Sequence, residues 1–286
     1  MSNVPRLLIL LTFLGVVVFV CWQLVRTPLR RATVDRFARR QQVVVTQTNA
    51  THVVAALGIS HRWRRAGLVL GLLLGGLWSL RQGELTLSFL AGFLGWFAGA
   101  VIAEWRISRL DEPGDRRAAA LAPRGLTTYL TPLVRTLAGG TFAVAAVAAV
   151  AAVAAAGFST TWLGWVLYLV AIVAVLALTA RAIVDRPSGF VDEALREADD
   201  ALRCHGLTVL AGSGIAAAYP PIIEFLLRTA YPDGVPVSME PFWVLLVMVT
   251  LLFLGYWVAT RSPSARDSRA ARQAPEPNID HGAARA

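Results

Sequence analysis

Lysine is absent, and all 27 basic residues are arginine. Together with the long Ala-rich runs, this reads as high-GC codon usage rather than chemistry. Charge of either sign is scarce: 16% of the 286 residues are charged, against about a quarter in soluble domains. That argues against an ordinary water-soluble domain. Cysteine occurs twice, at Cys21 and Cys204, so no disulfide framework exists, and both read as ordinary apolar residues. The four histidines fall into no H-x-x-x-H or H-E-x-x-H spacing and there is no C-x-x-C, so no metal or other cofactor is expected. Walker, G-x-S-x-G and strand-to-helix G-x-G-x-x-G patterns are missing too. No catalytic residue is assigned.

What the chain has is apolar length. Hydrophobic residues make up 56% and the mean hydropathy is +0.57. The apolar residues lie in long runs separated by basic gaps, the pattern of membrane spans. The expected fold is all-α, a polytopic membrane helix bundle with seven spans at about 7–25, 64–80, 85–104, 136–157, 162–184, 206–219 and 242–260. Segments 26–63, 105–135 and 185–205 are expected in the cytoplasm. The tail, 261–286, is poor in bulky apolar residues and is expected to be disordered. Between Arg26 and Arg65 stand nine arginines against one acid, Asp35. Such a segment resists translocation. The N-terminus is therefore expected outside and the C-terminus inside. This places 24 of the 27 arginines inside, with Arg6, Arg81 and Arg228 outside. A net charge of +9 would suggest nucleic acid in a soluble protein. Here the arginines flank apolar runs, and no nucleic-acid partner is expected.

Finer features follow from local pattern. Thr46 to Asn49 offers capping side chains to a helix carrying Val53, Val54 and Leu57 as far as His61, expected to lie in the headgroup plane. Spans two and three form a hairpin with small residues at four-residue steps, Gly67, Gly71 and Gly75 facing Ala91, Gly95 and Gly99. Such steps allow close backbone approach. The run Ala143 to Ala156 is low in bulk and is expected to sit tightly among its neighbours. Pro220-Pro221 should end or kink span six, with 222–229 restarting as a short helix on the outer face.

Three groups of residues are candidate sites. Arg62, Arg64 and Arg65 flank the second span and could meet anionic lipid headgroups, though the same cluster serves simple topology anchoring. Glu224 and Arg228, four apart, could pair at the outer face. Glu193, Glu197 and Asp200 share one face of a helix whose other face is Val191, Ala194, Leu195, Ala198 and Leu202. The segment from Arg181 to His205 carries a net charge of −2 and that from Arg26 to Arg65 carries +8, so the first could dock on the second. Glu104 and Arg135 read as span ends.

Arg62-Trp63-Arg64-Arg65-Ala66-Gly67, Arg116-Arg117-Ala118-Ala119 and Pro123-Arg124 before Tyr129-Leu130 resemble segments of uncharacterised multi-pass membrane proteins of high-GC actinobacteria. The resemblance covers about the first half of the chain. It implies a bacterial plasma-membrane location and no activity. The residues themselves point to a non-enzymatic accessory or scaffold component. A small-solute transporter or permease and a lipid-modifying enzyme are the alternatives. The expected partners are the lipid bilayer, anionic lipids and other membrane proteins.

Overall fold

The computed structural model describes residues 29–82, 89–110, 125–157, 160–186, 192–231 and 240–266, with Gly15, Val18, Phe19 and Trp22 as isolated positions. The described residues are helical, without strands. The first expected span lies almost wholly outside them. So do the turn at 83–88, most of the connection from 111 to 124, and the tail beyond 266.

The order is α1 (Arg31–Gln41), α2 (Gln47–Arg81), α3 (Phe89–Ile107), α4 (Leu126–Tyr129), α5 (Pro132–Ala156), α6 (Thr160–Asp185), α7 (Glu193–Ala217), α8 (Tyr219–Ala230) and α9 (Glu240–Arg261). Among the described residues, four stretches are long and apolar enough to cross a membrane: Leu90–Ile107, Pro132–Ala155, Trp162–Asp185 and Glu193–Ala230. Their lengths of 18, 24, 24 and 38 residues compare with the roughly 20 that span a hydrocarbon core.

The helix expected to lie flat before His61 does not end there. It runs unbroken into the next apolar segment, giving one 35-residue α2 about 50 Å long at 1.5 Å per residue. Nothing between Gln47 and Arg81 is a proline, so nothing removes a backbone donor where the sequence changes from polar to apolar. Asn49 secures the start: its Oδ1 accepts from Thr46 N–H at 2.9 Å, and its Nδ2 donates to Val44 O at 3.0 Å.

The glycine hairpin forms as the small-residue steps require. A Cβ added to Gly67 would overlap the Gly95 carbonyl, and one on Gly71 the Ala91 carbonyl; Gly95 and Gly99 meet Gly67 and Trp63 in the same way. The α2 and α3 backbones are in direct contact. A second close crossing was not read from the sequence: Gly212 on α7 and Gly255 on α9 each lie against the other's carbonyl.

The most enclosed helix is α7, where almost every residue from Ala198 to Ala217 is buried. It touches α2, α3, α5, α6 and α9. The Ala-rich α5 is not tightly surrounded. Ala145, Ala148 and Ala152 form its one buried stripe, while Val144, Val147 and Val150 are exposed. It packs mainly on α8, with further contacts to α7 and α6. Helix α7 ends at Ala217, next to the two prolines, as expected. Ala218 is the hinge, and they occupy the first turn of α8, where missing N–H groups cost least.

Candidate functional site: a buried ionic layer and two clefts

At the arginine-rich end, four helices contribute to one core. Phe37 of α1, Val53, Ala56 and Leu57 of α2, Ile107 of α3 and Ala198, Ala201 and Leu202 of α7 form one apolar cluster. The acidic amphipathic segment thus docks on the basic stretch through its apolar face. Its acids find other partners: Glu193 pairs with Arg196, Glu197 faces Arg266 at 3.9 Å, and Asp200 accepts from the Tyr129 hydroxyl at 3.2 Å. The physical reason is spacing. The apolar residues of α7 point at α1 and α2, which leaves the acids on the opposite face, turned away from the arginines.

The next layer of α7 is ionic and enclosed. Arg203 is fully buried. Its Nε and Nη2 donate to Asp199 Oδ2 at 2.9 and 2.7 Å. Its Nη1 donates to the carbonyls of Ile183 and Val184 at 3.3 Å each and of Arg186 at 2.6 Å. Those carbonyls end α6 and would otherwise lack donors. Asp199 Oδ1 also accepts from Arg186. One carboxylate therefore bridges two guanidinium groups, and one guanidinium caps a neighbouring helix.

Glu104 lies beside this layer, against Gly206 of α7, where no side chain intervenes. It stands in the last turn of α3, at the span end expected from its position, and it is buried there. Arg186, Arg64 and Asp199 are the charges nearest it. Among the described residues its carboxylate makes no ion pair. Glu104 is also one of the residues lining a cleft of about 360 Å3 between α3 and α6, with Val101, Ile102, Leu178, Ile183, Ser108 and Arg186.

Arg64 is turned inward and is 8% exposed, with Nε donating to Ser60 O at 3.1 Å. It is therefore unavailable as the lipid contact expected of it. Arg65 is half-buried, and Arg62 is exposed with Nε on Gly58 O at 3.2 Å. Arg62 lines a second cleft of about 500 Å3 with Ile59, Trp63, Ala66, Arg106 and Arg109. His61, one turn below Gly58, is held neutral. Burial first, then the positive charges of Arg64 and Arg65, push its pKa down to about 4.

Arg40 of α1 fastens the end of α9. It donates to Ser262 O through Nε at 3.0 Å and Nη2 at 2.6 Å, and to Ala259 O at 3.3 Å, while Ser264 Oγ donates back to Arg40 O at 2.9 Å. Ser262, Ser264 and Ala265 are buried, so the chain stays packed through Arg266 rather than loosening at Arg261. At the far end, Arg228 Nε donates to Glu224 Oε1 at 3.2 Å on α8. Both side chains are partly exposed. That is the expected i,i+4 pair.

The sequence reading puts Glu104 at a span end and Arg203 beside Asp199, but it does not bring Glu104, Arg186, Asp199 and Arg203 into one layer, and it gives Arg40 no role. The signal available was the spacing of Asp199 and Arg203, four apart on the boundary of an otherwise apolar helix. Among the described residues no three His, Cys, Asp or Glu side chains converge as metal ligands. No protein-family model, curated protein or solved structure matches the chain.

Proposed function

We propose that the chain is a seven-span protein of a bacterial plasma membrane, N-terminus outside and C-terminus inside, acting as a non-enzymatic accessory or scaffold component. The observation that carries this is how its buried charges are used. Asp199, Arg186 and Arg203 tie α7 to α6, and Arg40 ties α1 to α9. The layer fastens helices together at what would be the inner membrane boundary. The broad apolar faces left open on α5 and α6, including Val147, Val150, Leu167 and Leu178, suit lipid or other membrane helices. Affinity purification from native membranes, with protein and lipid analysis of the eluate, tests this. A stoichiometric membrane-protein partner is expected. A protein purified alone that moves solutes in liposomes would refute it.

One observation favours a permease as the second reading. Glu104 is a buried carboxylate without an ion pair among the described residues, lining the α3–α6 cleft, and ionisable groups at membrane depth commonly mark solute or ion paths. Solute uptake by proteoliposomes that is abolished in Glu104→Gln would establish that reading over the scaffold.

A further inference from the structure

We propose that the cleft formed by Arg62 and Trp63 of α2 with Arg106 and Arg109 beside α3 is a binding site for the headgroup of an anionic phospholipid. The inference rests on the membrane reading above, and its test separates the two.

The cleft lies beside the last contact of the glycine crossing, where Gly99 meets the Trp63 carbonyl, and Trp63 itself lines it. Three arginines line it, Arg62, Arg106 and Arg109. Tryptophan rings lie against two of them, and Arg62 is held by its hydrogen bond to Gly58 O at 3.2 Å. The Arg106 guanidinium lies 5.5 Å from the Trp63 ring centre and 5.7 Å from that of Trp105, and the Arg109 guanidinium is 3.8 Å from Trp105. Stacking on a ring occupies the face of a guanidinium and leaves its N–H edge free to point at an anion. Planar N–H forks match phosphate oxygens in pairs. Among the described residues none of the three arginines is in an ion pair with a carboxylate. This differs from Arg186, Arg196, Arg203 and Arg266, whose charges are met within the protein.

The remaining walls choose the lipid over a free ion. Ile59, Ala66 and Leu110 make the rest of the lining apolar, which suits the glycerol backbone and the first carbons of the chains. Trp63 and Trp105 are the residue type that settles at headgroup depth. The apolar part of α2 begins immediately after Arg65, so the cleft is expected to open at the surface of the cytoplasmic leaflet. The sequence pointed to Arg62, Arg64 and Arg65. The structure removes Arg64 and brings in Arg106 and Arg109 from a different helix hairpin arm.

The test uses full-length protein purified in a zwitterionic detergent. It is titrated with short-chain phosphatidylglycerol, short-chain phosphatidylcholine and inorganic phosphate. The variants are Arg62→Gln/Arg106→Gln/Arg109→Gln and a control of equal charge change, Arg30→Gln/Arg31→Gln/Arg36→Gln, at exposed positions of the same basic region. A cation beside an anionic surface contributes about fivefold in affinity. Wild type should prefer phosphatidylglycerol, and the cleft triple should lose at least about tenfold of that preference while the control keeps it. Ala66→Phe, which fills the cleft and removes no charge, should lose it too and serves if the triple fails to fold. Equal losses in both triples, or no preference in wild type, would overturn the site. Inorganic phosphate competing as well as the lipid would overturn the lipid assignment. Separately, release of wild-type protein from membranes by alkaline carbonate would sink the membrane reading itself.

Discussion

Replacing Arg203 with methionine should be among the most damaging single changes in this protein. The substitution keeps an unbranched apolar stem and removes the guanidinium with its charge. Asp199, 2% exposed, loses two charge-assisted hydrogen bonds and keeps only Arg186. The carbonyls of Ile183, Val184 and Arg186 lose their shared donor. Breaking a buried pair from one side costs roughly 3–5 kcal/mol, because the other charge stays behind uncompensated. Each carbonyl left dry adds about 1 kcal/mol or more, although water entering near the α6 terminus will offset part of it. A total near 4 kcal/mol corresponds to a fall of roughly 10 °C in the midpoint for a chain of this size. The assay is thermal unfolding of detergent-solubilised protein, read as an apparent midpoint because membrane proteins seldom refold after heating. The double variant Arg203→Met/Asp199→Leu supplies the control. Removing both partners should recover part of the loss, leaving Arg186 as the remaining unpaired charge. An Arg203→Met midpoint within about 2 °C of wild type would refute the idea that this pair fastens α6 to α7.

Four further outcomes follow from other contacts. Gly71→Ala forces a methyl into the Ala91 carbonyl and should cost about 1–3 kcal/mol, whereas Gly164→Ala, with open space around it, should be neutral or slightly stabilising; their melting midpoints decide. Arg40→Ala should release the packed Ser262–Arg266 segment, seen as faster tryptic cleavage at Arg261. His61 takes a proton near pH 6.5 when unfolded and only near pH 4 when folded. The unfolded state therefore binds more protons between those values, and stability falls as pH drops through that window, by roughly 1–2 kcal/mol after solvent screening; His61→Gln should flatten the melting profile between pH 6.5 and 4. Charge reversal of Glu193 and Glu197 should leave α7 docked, because Ala198, Ala201 and Leu202 hold it; a loss of more than about 5 °C would restore the charge-docking idea.

Much of the helical layout was legible because it depends on local pattern. Small residues at Gly67, Gly71, Gly95 and Gly99 announce a close crossing, since only the absence of a side chain lets backbones touch. Asn49 is a capping residue by type, and it caps α2. Sequence could not show that α2 continues past His61, because a change from polar to apolar composition does not itself interrupt backbone hydrogen bonds. It also could not rank α7 above α5 for burial. Both are apolar, and which one becomes central depends on which partners converge on it. The burial of Glu104 was out of reach for a related reason. A charge at the end of an apolar run resembles a boundary marker, and only the glycine at position 206, on another helix, makes room to bury it. Arg64 shows the converse: three of four residues in Arg62-Trp63-Arg64-Arg65 are basic, but a helix turns each one to a different side.

The most direct test of the membrane account is where the N-terminal half of α2 lies in intact cells. A single cysteine at Thr51, an exposed position, in a background carrying Cys21→Ser and Cys204→Ala, would be treated with a membrane-impermeant maleimide. The account predicts no labelling until the cells are lysed and full labelling afterwards. Labelling of Thr51→Cys in unbroken cells would place the basic end outside and contradict it.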